Sequence, residues 1–293
     1  MRSLPLRCVQ FYVCFRYADP LTGDALKQMA ADGMTRAVAF SQYPQFSCTT
    51  TGSSLNHLWR ELARLGLERQ FQWSIIDRWH SHPLFIDAVV QRIKMGLEKF
   101  PADERDKVHI LFSAHSLPMR VVNRSDPYPQ EVGATVARVM DKLGHSHRYT
   151  LAWQSQVGPL PWLGPQTGEV LEGFGAQGHQ HVLVVPIAFT SDHVETLFEI
   201  DVEYAHVAAK AGVVHFHRAP SLNDEPLLAD AMADLVATHL REEELHTAHY
   251  PLNCAGCTNP ICRSICNPIR PYTKPRDAAN PDGELTKNNP VKQ

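Results

Sequence analysis

The sequence contains no long apolar run. Nothing in its 293 residues approaches 18 consecutive apolar positions, and the longest clean run is the eight of Val182 to Phe189. A membrane-spanning helix is therefore excluded. Charge imbalance is small: 28 Lys and Arg against 31 Asp and Glu leave a net −3, so binding nucleic acid by broad phosphate neutralisation is not expected. No Gly-rich loop of the GxGxxG or P-loop type follows any strand candidate, which weakens the dinucleotide and nucleoside triphosphate readings. No acid occurs through Ala18, where Arg2, Arg7 and Arg16 stand alone. That is faintly like an organellar transit peptide, but the stretch lacks the Ser-rich, amphipathic character of one.

The remaining composition is that of a globular chain, 44% apolar and 20% charged, long enough for about two domains. Its 16 histidines outnumber its phenylalanines, and its 7 cysteines are uneven. Four of them, Cys254, Cys257, Cys262 and Cys266, fall within thirteen residues; Cys8, Cys14 and Cys48 lie far upstream. An odd count with such clustering argues for metal or cluster ligation in a reducing compartment rather than a disulfide framework. Cys254-x2-Cys257-x4-Cys262 supplies three thiolates, and both a structural zinc and an iron–sulfur cluster need four ligands. Spacing leaves the metal open, and it leaves Cys266 and Cys48 both open as the fourth ligand.

Short apolar runs at 9–15, 37–41, 71–76, 108–113, 149–154, 181–189 and 213–217 alternate with amphipathic segments near 21–33, 53–65, 83–99, 128–143, 166–177, 192–211 and 223–241. This alternation predicts α/β architecture: βαβ units with parallel sheets covered by helices. The expected division is a first domain over 1–100, a second over 101–241, a cysteine-bearing extension over 242–266 and a disordered tail over 267–293. The first domain shows three strand–helix units against four in the second and opens directly on a strand, so a truncated first domain is expected.

Ligands of open parallel sheets bind beyond the carboxyl ends of the strands. There the sequence places Arg16 and Tyr17, Tyr43, Trp79 with His80 and His82, His115, Trp162, and the run Thr190 to Glu195. Such aromatic and cationic residues suit a large, flat, anionic aromatic ligand. Asp192-x-x-Glu195 has the form of a capping box. On the helix it opens, Glu195, Glu199 and Glu203 fall at i, i+4 and i+8 on one face, with Val194, Leu197, Phe198 and Ala205 on the other. The acidic column reads either as a solvated face or as a carboxylate path for cations or protons. His115, at the end of a buried strand, is a candidate general base.

At these residues the chain resembles the ferrochelatases. The matching stretches are Ser113-Ala-His-Ser-Leu-Pro118, Asp126-Pro-Tyr-Pro129, Trp153-Gln-Ser155, Pro161-Trp-Leu-Gly-Pro-Gln-Thr167 and Pro186-Ile-Ala-Phe-Thr-Ser-Asp-His-Val-Glu195, with Gln42-Tyr-Pro-Gln45, Thr51-Gly-Ser-Ser54 and Ile76-Asp-Arg-Trp79 upstream. The resemblance implies two Rossmann-like chelatase domains, the first lacking its N-terminal strand and hydrophobic lip. It implies insertion of Fe(II) into protoporphyrin IX to form protohaem. His115 corresponds to the family's proton acceptor and Glu195 to its acidic partner, with His82 and Asp234 also matching catalytic candidates. Arg16, Tyr43, Trp79, Trp162, Phe189, Asp192, His193, Glu199 and Glu203 match the porphyrin pocket or the iron path. The cysteine pattern is similar to the animal-type branch, which implies a [2Fe–2S] cluster on Cys48, Cys254, Cys257 and Cys262. Homodimerisation and peripheral attachment to the inner mitochondrial membrane from the matrix side are further implications; nucleic acid is not an expected partner. Two other readings stand beside this one: an inactive fragment or splice form, and a non-catalytic iron–sulfur or zinc module on an α/β scaffold.

Overall fold

A computed structural model describes residues 9–242, 245–247 and 254–257. Cys262 and the segment 267–293 lie outside them, and the extension 242–266 is described only in part. The described residues form two compact units, one containing 9–39 and 52–74, the other 40–51 and the described residues from 75 to 257.

The smaller unit is built from α1 (Thr22–Ala31), β1 (Arg36–Phe40), α2 (Thr51–Leu65) and β2 (Gln72–Ile76). Its core joins Leu26 and Met29 of α1 to Trp59 and Leu62 of α2 and to Phe71. Within each helix the buried pair is three residues apart, so both side chains share one face. The expected strand at 9–15 does not form. Only Phe15 makes a bridge, to Leu21, and Phe11 is almost fully exposed. Alternating sequence makes a strand only where a partner ladder exists, and among the described residues the named strands of this sheet are β1 and β2. Tyr12 is held instead by packing on this core and by donating its hydroxyl to Asp32, 2.7 Å away.

The larger unit begins its regular structure with α3 (Pro83–Leu97). A connector with a 3₁₀ turn at Arg105–Lys107 leads to β3 (His109–His115), α4 (Met119–Val122), α5 (Tyr128–Lys142), β4 (Tyr149–Gln154), α6 (Thr167–Ala176) and β5 (His181–Pro186). After these come α7 (Val194–Leu197), a π-helical turn (Glu199–Tyr204), α8 (Ala205–Ala211), β6 (His215–Arg218) and α9 (Pro226–Glu242). The four strands pair in parallel in the order β4-β3-β5-β6. Central β5 is buried throughout and β3 is buried up to His115, while the edge strands β4 and β6 are partly exposed. That burial is why the inner strands are the continuous apolar runs of the sequence.

One sheet face meets Leu171 and Phe174 of α6, Ile200 and Ala208, which close over Leu111, Ala152, Val182 and Val184. The other face meets α3, where a Cβ on Gly96 would lie 2.8 Å from the Leu183 side chain. The chain leaves β3 for one neighbour and later returns to β5 on its other side. The connections after β3 and β5 therefore diverge, and the carboxyl ends of those two strands form the topological switch point where ligands of such sheets bind.

The expected single helix over 192–211 is instead three segments. Phe198 carbonyl accepts from both Val202 N–H (2.9 Å) and Glu203 N–H (3.1 Å), which widens the turn between α7 and α8. The expected Asp192–Glu195 capping box is replaced by one residue's shift: His193 is the N-cap, its Nδ1 accepting from Glu195 N–H while Thr196 Oγ1 accepts from His193 N–H. Asp192 is engaged elsewhere, so its carboxylate is not available as a cap.

Candidate active site

The switch point carries the cleft. An open cavity of about 270 Å³ is lined by His115, Trp162, Ser155, Val194, Glu195 and Phe198, with Glu199 and Glu203 further along. Each comes from the carboxyl side of a strand: His115 ends β3, Ser155 follows β4, and the acids follow β5.

Hydrogen bonds fix the tautomers of its two histidines. His115 Nδ1 lies 2.6 Å from Ser116 carbonyl. A carbonyl can only accept, so Nδ1 carries the proton and the neutral ring presents a bare lone pair at Nε2. His193 is the reverse: its Nδ1 accepts from Glu195 N–H at 3.1 Å, so its proton is on Nε2. Both Nε2 atoms face one carboxylate. Glu195 Oε1 is 3.6 Å from His115 Nε2 and Glu195 Oε2 is 3.9 Å from His193 Nε2. The carboxylate thus has a base on one side and a donor on the other. Trp162 lies beside His115, with ring centroids 6.3 Å apart, and Phe189 packs edge-on against His193 at 4.9 Å.

The acidic column is not uniform. Glu199 accepts four bonds: from Ser155 N–H (2.7 Å) and Tyr204 O–H (2.9 Å) on Oε1, and from Gln154 Nε2 (3.0 Å) and Ser155 Oγ (2.6 Å) on Oε2. Burial, then the Glu199 charge and hydrogen bond, push the Tyr204 phenol up, which keeps it a donor. The π turn makes this pairing: it adds a residue between Glu199 and Tyr204, which therefore meet at i, i+5. Glu203 is exposed. The apolar residues expected opposite the acids are not buried. Val194, Leu197 and Phe198 are at least half exposed and Ala205 is partly so, and Val194 and Phe198 line the same cleft as the acids. The residues that turn inward are Thr196 and Ile200.

The other candidates are placed as follows. Asp192 accepts from Thr196, Ser221 and Arg218 on one oxygen and from Asn223 on the other. Burial alone would raise its pKa, but the Asn223 and Ser221 bonds and the Arg218 charge outweigh it and hold the carboxyl below its ordinary range. It acts as a bracket between the start of α7 and the end of β6. Trp79 is buried, its indole N–H donating to Ser41 carbonyl at 2.9 Å and its ring packing on Phe40 and Phe85. Tyr43 is exposed. His82 caps α3 and pairs with Asp234 of α9, Nε2 to Oδ2 at 3.2 Å, a contact apart from the residues lining the cleft. In the smaller unit, Arg16 bonds Ser53 and lies over the Tyr17 ring.

Among the cysteines, Cys257 N–H donates to Cys254 carbonyl (2.9 Å), closing a turn, and Gly256 N–H donates to Arg124 carbonyl at 3.3 Å. Cys48 sits within electrostatic reach of both thiols. Its own thiol is pushed up by burial first, then by the Asp126 hydrogen bond and charge, then by Cys254 and Cys257. Cys48 and the Cys254–Cys257 turn thus stand close enough for their charges to interact, while Cys262 lies outside the described residues.

Sequence reasoning missed the residues that hold the acids in place: Gln154, Ser155 and Tyr204 on Glu199, and Arg218, Ser221 and Asn223 on Asp192. Only Gln154 and Ser155 carried a signal, as polar residues ending an otherwise apolar strand.

Comparison with known proteins agrees with this geometry. The chain matches the ferrochelatase family over residues 2–240. It is 55% identical over 255 residues to "Ferrochelatase, mitochondrial" of Bos taurus, covering 87% of this chain and 61% of that protein. It is 52% identical over 255 residues to the Homo sapiens protein of the same name, covering 87% and 60%. The chain thus spans about three-fifths of the length of these curated relatives. Among solved structures, SirB from Bacillus subtilis with Fe3+ superposes with a TM-score of 0.57 at 12% identity, covering 78% of this chain and 81% of that one. The sirohydrochlorin chelatase SirB of subspecies spizizenii, in complex with cobalt, gives 0.52 at 13%, covering 78% and 80%. At such identity the likeness shows the chelatase-type α/β fold alone. With the family match running through both units and every motif of the cleft, the chain belongs to the ferrochelatase family.

Proposed function

We propose that this chain inserts Fe(II) into protoporphyrin IX to form protohaem, the last step of haem synthesis, and that it does so in mitochondria, as the names of its relatives suggest. The observation that carries the reading is the tautomer pattern around Glu195. Metal insertion must remove two pyrrole N–H protons, and His115 offers a base at Nε2 with a carboxylate 3.6 Å from that same nitrogen. When His115 takes a proton, the imidazolium faces Glu195 and the charge is met at once. The His193 N–H faces the other carboxylate oxygen, Oε2, from 3.9 Å. Exposed apolar side chains of Val194 and Phe198, with Trp162, supply surface for the flat ring of the macrocycle. Fe(II), the substrate, is drawn toward Glu195 and exposed Glu203. Glu199 is already saturated and serves to orient the β4 end, and Asp192 positions α7. Phe189 backs His193; Arg16, Tyr43 and Trp79 keep pocket or path roles in this reading, and His82 with Asp234 forms a second candidate proton-handling pair.

The same reading includes a [2Fe–2S] cluster. Cys48, Cys254, Cys257 and Cys262 would hold it. Four thiolates are the donor set such a cluster takes, and Cys48 stands near enough to Cys254 and Cys257 for their charges to interact. When bound, the cluster adds a cross-link between the chain near Cys48 and the cysteine-bearing extension; metal insertion itself changes no oxidation state. Homodimerisation and peripheral contact with the inner mitochondrial membrane complete the proposal. No helix among the described residues is long and apolar enough to cross a membrane.

The test is His115→Ala, with metalloporphyrin formation followed by absorbance under anaerobic Fe(II). Loss of a positioned base predicts a fall of about 10²-fold or more in kcat. Activity within a few-fold of the parent removes His115 from the proton step.

A further inference from the structure

At the opposite end of the larger sheet from the cleft, Glu104, His181 and His215 converge. His181 opens β5 and His215 opens β6, and the two are direct partners in the parallel ladder. Side chains of such partners leave the same face of a sheet, and here the imidazoles stack, with centroids 4.9 Å apart and planes 20° apart. Glu104 reaches them from the connector before β3. Its backbone is held by a turn, Glu104 N–H to Pro101 carbonyl at 3.0 Å, and the next residue's carbonyl is bonded by His147. One carboxylate oxygen, Oε2, lies 2.6 Å from His181 Nε2 and 3.8 Å from His215 Nε2. All three candidate ligand atoms fall within 4.8 Å of one another.

We propose that these three residues bind a first-row divalent transition metal. Two imidazole nitrogens and one carboxylate oxygen suit Zn(II), Fe(II) or Co(II) and do not suit the all-oxygen preferences of Mg(II) and Ca(II). In a tetrahedral site with metal–ligand distances near 2.0–2.1 Å, ligand atoms stand about 3.3 Å apart. The 2.6 Å separation must open and the 3.8 Å one must close, each by less than an ångström. The mobile partners are the right ones. His181 is the buried anchor at 8% side-chain exposure, whereas Glu104 at 29% and His215 at 37% can turn. Their exposed side leaves room for water to complete the shell. β5 separates the site from the cleft: five residue steps of about 3.3 Å give about 17 Å, so this metal is not the one being inserted. Its effect is to pin the connector over 101–107 to the sheet edge. The inference is independent of the proposed activity.

The experiment titrates Co(II), and in parallel Zn(II), into the untagged full chain, comparing it with His215→Ala and Glu104→Gln. Stoichiometry comes from calorimetry and ligand type from the Co(II) spectrum. His115→Ala serves as a control for metal bound in the cleft. The expected result is one metal more per chain in the parent than in either site variant, or at least tenfold weaker binding of that metal in them. That metal has a nitrogen–oxygen cobalt spectrum without thiolate charge transfer, it is retained in His115→Ala, and Zn(II) raises the parent's thermal midpoint but not that of His215→Ala. Equal stoichiometry and affinity in the parent and both site variants overturns the proposal. So does loss of the additional metal in His115→Ala. Glu104→Gln, which keeps size and hydrogen bonding, guards against a folding defect in the histidine variant.

Discussion

Glu199 is the sharpest point at which to perturb the site, because all four of its partners are donors. Gln154 Nε2, Ser155 N–H, Ser155 Oγ and Tyr204 O–H each give a hydrogen to the carboxylate. Glu199→Gln preserves shape but turns one acceptor into an NH2 group. If that group occupies the Oε1 position it meets the Ser155 backbone N–H, which cannot reorient. If it occupies the Oε2 position it meets the Gln154 amide, whose other atom already accepts from Ser113 Oγ at 2.7 Å. Either way about one donor is left unpaired, at 1–3 kcal/mol, and the surviving bonds lose their charge assistance. Because the group is only partly buried, the expected total is about 2–3 kcal/mol. For a unit of this size that is a fall in thermal midpoint of about 4–12 °C. Exposed Glu203→Gln, one turn along, should stay within about 0.5 kcal/mol of the parent. The measurement is a paired thermal melt of the two variants by circular dichroism. Equal midpoints for Glu199→Gln and the parent would refute the view that this acid is a structural bracket rather than a free station on an iron path.

Two further outcomes follow from packing and burial. A Cβ at Gly175 of α6 would sit 2.0 Å from the Ala211 carbonyl oxygen, a backbone atom that cannot swing away; Gly175→Ala should cost about 3 kcal/mol or more, read as a lowered urea midpoint with far-UV signal intact before the transition. Burial, helped by His179 and Arg148, pulls the His109 pKa from 6.5 down to about 4. The folded chain keeps this ring neutral while the unfolded chain takes up a proton, so its contribution is complete above pH 6.5 and is lost as pH falls toward 4. Integrated over that window the loss reaches about 3 kcal/mol at most. Stability of His109→Gln should therefore fall less steeply with acid than that of the parent, and parallel pH curves would show that His109 titrates normally.

The parts of this fold that were legible in the sequence are those set by local pattern. β3 and β5 are continuous apolar runs because both their faces are covered, and α3, α5 and α9 fall within a few residues of their periodic segments. The candidate site was legible where a residue's role depends on its place at a strand end, as for His115 and Glu195. It was not legible where the role depends on partners distant in sequence. Asp192 has the same local appearance whether it caps a helix or brackets β6, and only Arg218, Ser221 and Asn223 decide between the two. The segment 9–15 alternates as a strand should, but no local pattern reports whether a neighbour pairs with it, and among the described residues only Phe15 is bridged.

The break in the 192–211 helix shows how one such long-range demand reshapes local structure. A regular helix would set Glu195, Glu199 and Glu203 in a column, three like charges with unfavourable neighbours at each i, i+4 step. The π turn relieves that column without taking the acids off the cleft. Phe198 carbonyl accepts a second N–H, from Glu203, one residue beyond the usual partner, and Glu199 gains Tyr204 at i+5 while it reaches the β4 end. Each acid is then in a different setting: Glu195 between two imidazoles, Glu199 saturated by donors, Glu203 in solvent. Tyr204→Phe removes one donor from Glu199 and touches neither His115 nor Glu195. Proton transfer at His115 needs only the first of the three settings, so Tyr204→Phe should depress stability more than it depresses the per-molecule rate.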